Sequence, residues 1–322
     1  MAEVWGVRLA DTDNRVFGGS TGLNLRADSD VGPVLVRVHR SHVSAERVEA
    51  LQFAREAAGA AGVPTALPIV GRDGQRHIRV ESCVVEVEQF VETDAKMDTL
   101  ARVASALPWL GRLHDALANV ELPGAADDLR FANFIAARDV VARVTAGADR
   151  IRSIAPRQAH VADAAEVLAA RLEEASSAGP AIGSQWCHGD FWDDNVLFRG
   201  EELALVTDFG FMNRRPRIDD LALTLYFTLW ELHATGHPDP LRHLAPLVEA
   251  YETGTKRLLG GIEREALPLA IARQPLWSIG VWAAELDDPV AVDAHLRGHD
   301  VALRLGMSIL DDLDRWRSAF GR

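Results

Sequence analysis

The chain has 322 residues, 48% of them hydrophobic, with 34 basic against 47 acidic side chains and a formal charge of −13. This composition excludes a disordered or fibrous chain and gives enough sequence for one large or two ordinary domains with a cleft between them. The acidic balance argues against nucleic acid or an anionic membrane as the main partner, because polyanions are bound by basic surfaces, and it weakly favours a cationic or neutral small ligand.

Met1 to Trp5 show no basic stretch leading into an apolar run, so no signal peptide is expected. Val16 to Gly22 then lies between two strand candidates, and the backbone of Gly18, Gly19 and Ser20 can approach phosphates, although the spacing is not G-x-G-x-x-G. Val34 to Val38 is a β-branched run and reads as a strand. Ser44 to Ala61 reads as a helix, with Ser44 as cap, Glu46 in the first turn and Gly62-Val63-Pro64 as its end. The longest uncharged runs, such as Ala57 to Gly71 with its Pro64 and Pro68, are too short to span a membrane. Cys83 to Val91 alternates apolar and acidic residues with a period of two, as a strand does. Near Glu92-Thr93-Asp94 the strand pattern gives way to helix, which sets the expected domains at 1–93 and 94–322. Helical spacing follows through Leu100–Leu117, Val161–Leu172, Leu221–Leu232 and Leu241–Leu258. One island interrupts it: Val196-Leu197-Phe198, a turn at Arg199-Gly200, and Leu203 to Thr207 form a hairpin. The expected class is α+β, a small strand-rich lobe followed by a larger, mainly helical one.

Two features narrow the chemistry. Cys83 and Cys187, the two cysteines, form no zinc-like cluster, which points to a reducing, cytoplasmic setting. Lys96 and Lys256 are the two lysines, so arginine supplies nearly all the positive charge. The hairpin is flanked by His188-Gly189-Asp190 and Asn195 on one side and Asp208-Phe209-Gly210 on the other. It can therefore gather two carboxylates and an amide at one place, a set suited to magnesium, which takes oxygen ligands and keeps waters and phosphate oxygens.

These motifs resemble the catalytic loop and metal motif of the aminoglycoside phosphotransferase-like kinases, a superfamily that includes choline, fructosamine and homoserine kinases. Protein kinases are similar at both motifs but carry an arginine where Gly189 stands. The resemblance implies a two-lobed kinase-like fold, ATP (or GTP) and magnesium as cofactors, Asp190 as acceptor of the substrate hydroxyl's proton, Asn195 and Asp208 as metal ligands, and His188 as an orienting residue. Thr207 departs from the apolar residue usual before this aspartate. Leu110 to His114 and Asp219 to Ala222 also resemble family segments; for Asp219-Asp220, bracing of the catalytic loop and plain helix capping are both open.

A kinase of this type needs a strand cation held by a helix carboxylate to grip the α- and β-phosphates. No lysine precedes Lys96, so Arg37 with Glu49 is the expected pair, and Arg40 with Glu46 or Glu56 the alternative. Glu88 to Val91 is the expected hinge, with the backbone of Gln89 and Val91 reading the purine. The acceptor pocket is expected near Asp190, with Asp193, Asp194, Glu231, Trp277, Trp282, Glu285, Asp287 and Asp288 as candidates. The leading reading is an antibiotic-type O-kinase with a small-molecule hydroxyl acceptor. The alternatives are a metabolite kinase of the homoserine, choline or fructosamine type and a silent nucleotide-binding module, while Gly189 and the absence of Ala-Pro-Glu after Asp208 disfavour a protein kinase.

Overall fold

A computed structural model describes residues 3–10, 15–18, 22–124, 127–176 and 182–321. Its first part is a five-stranded antiparallel sheet in the order β1-β2-β3-β5-β4, built from Arg15–Gly18 (β1), Gly22–Ala27 (β2), Val34–His39 (β3), His77–Val80 (β4) and Cys83–Gln89 (β5). Helix α1, Ala45–Ala60, joins β3 to this sheet's far edge, and Ser44 caps it by accepting a hydrogen bond from the Arg47 amide at 3.2 Å.

Strand alternation gives the sheet two unlike faces. Val34 and Val87 turn to one side and are sealed by Trp5 and Val7 in a small apolar core. Arg37 and His39 turn to the other, beside Glu86 and Glu88 of β5, and α1 covers them with Gln52 and Arg55. A polar layer is thus buried between sheet and helix, where every charge needs a partner.

The remainder is helical around one large core: α2 Leu100–Leu117, α3 Val140–Ile154, α4 Ala159–Ser176, α5 Arg217–Ala234, α6 Leu241–Gly254, α7 Gly261–Arg273, α8 Pro289–His295, α9 His299–Asp311 and α10 Leu313–Phe320. No described helix is long and apolar enough to cross a membrane. At the α2–α6 crossing, a Cβ on Gly111 would lie 2.6 Å from the Tyr251 carbonyl oxygen, so glycine is what permits the contact. A three-stranded sheet and a strand pair sit within this helical part. Ala95–Lys96 (β6), Val196–Arg199 (β8) and Glu202–Val206 (β9) form one sheet, and Gln185–Cys187 (β7) pairs antiparallel with Asn213–Arg215 (β10). The expected hairpin is β8–β9; β6 and the β7–β10 pair were not legible in the sequence, because strands of two or three residues show no period.

Candidate active site

Two antiparallel pairings frame the site. The loop His188–Asn195 runs from β7 to β8, and the segment Thr207–Met212 runs from β9 to β10, so each segment is tied at one end by β8–β9 and at the other by β7–β10. Asp220, in the first turn of α5, accepts from the His188 and Gly189 amides, each at 2.9 Å, and contacts His114 Nε2 at 3.1 Å. It braces the His188–Asn195 loop. Burial raises the Asp220 carboxyl's pKa, but the His114 hydrogen bond and nearby positive charge outweigh it and hold the carboxyl below its ordinary value. His114, Cys187 and Asp220 lie close enough to suggest a metal cluster. Their atoms are already engaged: His114 Nδ1 meets the Tyr251 hydroxyl at 2.8 Å, and Cys187 Sγ meets the Arg215 carbonyl at 3.6 Å.

Burial pushes the pKa of His188 down. Its Nδ1 accepts from the Asp190 amide at 3.1 Å, which leaves Nε2 to donate to the Thr207 carbonyl at 2.9 Å. One imidazole therefore sets both segments. Asn195 Nδ2 donates to the Asp190 backbone carbonyl at 2.9 Å and to its Oδ2 at 2.7 Å. With both amide hydrogens turned to Asp190, the Asn195 Oδ1 is the group left to ligate a cation. Asn133 Nδ2 donates to Asp190 Oδ1 at 3.1 Å, and its own oxygen accepts from Arg215 Nη1 at 2.9 Å, so its orientation is fixed. Burial, and then the charge of Asp208, push the Asp190 carboxyl up to about 7. Asp208 sits in the left-handed region at φ 54° and ψ 69° and accepts from the Gly210 amide at 3.1 Å. Two carboxylates repelling one another beside a spare amide oxygen form a donor set that fits a hard divalent cation.

On the sheet, Arg37 Nε and Nη2 donate to Glu88 Oε1 at 3.0 and 2.8 Å, Nη2 donates to Thr207 Oγ1 at 2.8 Å, and Nη1 donates to Asn24 Oδ1 at 3.3 Å. Burial works against this charge, yet Glu88 outweighs it and keeps Arg37 above its ordinary pKa. The expected partner Glu49 is exposed on the outer side of α1 and lies in a groove with Arg76 and Arg79. The expectation fails because the phase of the helix points Gln52 and Arg55 at the sheet instead, and the carboxylates come from β5. Arg55 pairs with both Glu86 and Glu88, while Gln52 Nε2 donates to Glu86 Oε2 at 2.7 Å. Arg40 and Glu46 are exposed, and Glu56 pairs with Arg76 at 2.8 Å, away from Arg37.

Of the other expected residues, Gly18 ends β1, whereas Gly19 and Ser20 lie outside the described residues. Gln89 ends β5 opposite Val34, and Val91 lies in the connection that follows. On the acceptor side, Trp277 Nε1 donates to the Ala132 carbonyl at 3.0 Å, next to Asn133, and its ring meets Phe211 at 6.3 Å and Trp282 at 5.8 Å. Trp192, two residues beyond Asp190, stacks on Phe227 at 4.9 Å. Asp193 is half-buried, with burial and then Asp194 raising its pKa, while Asp194 pairs with Lys96. Glu231 and Glu285 are exposed, Asp287 pairs with Arg150, and Asp288 caps α8. Asn133, Arg215, Glu86 and Arg55 are not singled out by the sequence, and Glu88, expected in the hinge, is instead the partner of Arg37 and Arg55. Acidic residues alternating along a central strand were the one available sign, for Glu86 and Glu88.

Residues 15–260 match the phosphotransferase enzyme family. Among solved structures, the chain is similar to an amicoumacin kinase in complex with AMP-PNP, Ca2+ and Ami (12% identity, 97% of this chain and 91% of that one, TM-score 0.66). It is similar as well to a microcompartment-associated aminopropanol kinase (15%, 97% and 94%, TM-score 0.66). A third is an aminoglycoside phosphotransferase from Alicyclobacillus acidocaldarius (19%, 96% and 94%, TM-score 0.58). At these identities the likeness shows a shared two-lobed fold.

Proposed function

The chain belongs to the phosphotransferase enzyme family, and from that premise we propose that it transfers the γ-phosphate of ATP to a hydroxyl of a small molecule. In this reading the nucleotide lies between lobes 1–93 and 94–322, with Arg37 on its phosphates and Gln89 to Val91 at the base. The observation that carries this reading is Asp190: a half-buried carboxyl raised to about 7, with both oxygens oriented by asparagine amides, beside Asp208 and Asn195 Oδ1. A carboxylate so poised takes the acceptor's proton as its oxygen bonds to phosphorus and the bond to the ADP oxygen breaks; the proton then leaves to solvent. Asn195 and Asp208 are the residues that hold magnesium, which, when bound, neutralises the phosphate oxygens.

For the acceptor we favour an antibiotic-type molecule with several rings. Two aromatic groups lie near the Asp190 loop: Trp192, within it, stacks on Phe227, and Trp277, bonded to Ala132 beside Asn133, meets Phe211 and Trp282; ring faces suit such surfaces. Choline, homoserine and fructosamines, the metabolite alternatives, offer less to stack. The test is ATP consumption by the purified protein against aminoglycosides, peptide and nucleoside antibiotics, and those three metabolites. Turnover is expected with a ring-bearing antibiotic and should fall about a hundredfold or more in Asp190→Asn with ATP binding retained. Wild-type-like turnover in that variant would remove Asp190 from the mechanism, and a metabolite as best acceptor would replace the antibiotic reading.

A further inference from the structure

We propose that Thr207 is a positioning residue, whose hydroxyl transmits the hold of Arg37 to the backbone that sets both Asp208 and Asp190. The inference rests on the reading of Arg37 and Asp208 as the donor site.

Arg37 has five N–H donors. Three go to Glu88 and Thr207 and one to Asn24, so among the described residues a single Nη1 hydrogen is left to face a nucleotide. Most of the guanidinium's work is therefore internal, and one of its links crosses from the sheet to the metal segment. Thr207 receives that link at the centre of the site. Its amide donates to the Asn195 carbonyl at 2.9 Å, its carbonyl accepts from His188 Nε2 at 2.9 Å, and the next residue is Asp208 in its left-handed conformation. Moving Thr207 moves the metal aspartate directly and, through the Nδ1 of His188, the Asp190 amide.

Two departures from the expected kinase pattern are thereby explained as one. A strand arginine replaces lysine, and a hydroxyl-bearing β-branched residue replaces an apolar one before the aspartate, and the two meet at 2.8 Å. Valine would fit the same strand end but would leave an arginine donor, half-buried beside Glu88, without its acceptor. Lysine at position 37 keeps the charge but has one nitrogen, which cannot fan across Glu88, Asn24 and Thr207 at once. For that reason retention of charge alone is not expected to preserve function in Arg37→Lys.

The experiment measures AMP-PNP affinity in the presence of Mg2+ by calorimetry for wild type, Thr207→Val, Thr207→Ser, Arg37→Lys and the Arg37→Lys/Thr207→Val double variant. Thr207→Val is expected to bind about tenfold more weakly, the scale of one hydrogen bond to a charged group. Thr207→Ser should stay within about twofold of wild type, and the double variant should be no worse than Arg37→Lys alone. Thr207→Val binding like wild type, or losses that multiply in the double variant, would overturn the proposal. Should Thr207→Val fail to fold by circular dichroism, Thr207→Ala against Thr207→Ser decides in the same way, since only serine restores the acceptor. A wild type that binds no AMP-PNP would overturn the donor-site reading and this inference together, whereas intact wild-type binding with an indifferent Thr207 overturns this inference alone.

Discussion

Asp190 carries two opposed demands. As the proposed base it must be ionised to take a proton, yet burial and the neighbouring charge of Asp208 hold its carboxyl at about 7. Activity should therefore fall as pH drops through that region, because the protonated carboxyl cannot act as base. Magnesium held by Asp208 and Asn195, as proposed, would remove much of the repulsion, so the acid limb of kcat/KM should move to lower pH as Mg2+ is raised from limiting to saturating. Profiles measured at the two concentrations check this, and a limb that stays in place would mean that Asp208 does not govern Asp190. Asn133 belongs to the same small system, since Arg215 fixes the amide that holds Asp190 Oδ1.

At the level of elements, Gly189 shows why the catalytic loop differs from that of protein kinases. Its φ is +85°, and a Cβ there would lie 2.3 Å from the Phe211 carbonyl oxygen and 2.7 Å from Arg215 Nη2. An arginine from β10 fills the space beside this glycine. Gly189→Ala is expected to cost at least about 1 kcal/mol from the left-handed backbone alone and to displace Phe211, lowering both melting temperature and turnover. Near-wild-type denaturation and activity would contradict that packing. The sequence displayed α1, α2, the β8–β9 hairpin and the motif residues because caps, periods and short-range turns are local signals. It misassigned the partner of Arg37 because the choice between Glu49 and Glu88 depends on helix phase and on the β3–β5 register, which pairs Leu35 with Glu88 and Arg37 with Glu86. Asn133 left no sign at all. It reaches Asp190 across 57 positions through tertiary packing alone.

Across the whole molecule, the short stretch 206–212 takes several polar contacts from the sheet-bearing part, beside the apolar packing of α1 on the helical core. Pro64 accepts from the Val206 amide at 2.7 Å, Arg37 reaches Thr207, and Arg47 of α1 donates to the carbonyls of Gly210 at 2.8 Å and Met212 at 3.2 Å, with its guanidinium 4.1 Å from the Phe131 ring centroid. Arg47 is buried enough that its pKa is lowered to about 10. Arg47→Met retains much of the packing but removes the donors, and it should cost about 1–3 kcal/mol in chemical denaturation and weaken Mg2+-dependent nucleotide binding. Unchanged stability and binding would show that α1 does not hold the metal segment. The proposed use of arginine at position 37 as the phosphate grip also has a consequence for detection. A guanidinium stays protonated and offers no nucleophilic amine, so nucleotide acyl phosphates, which label kinases by acylating a phosphate-gripping lysine, find nothing to react with there. The two side-chain amines of the chain are Lys96, ion-paired with Asp194, and Lys256, on the helical part. A chemical survey that counts kinases by lysine acylation would pass over this protein, and over any other chain in which arginine has taken the same place.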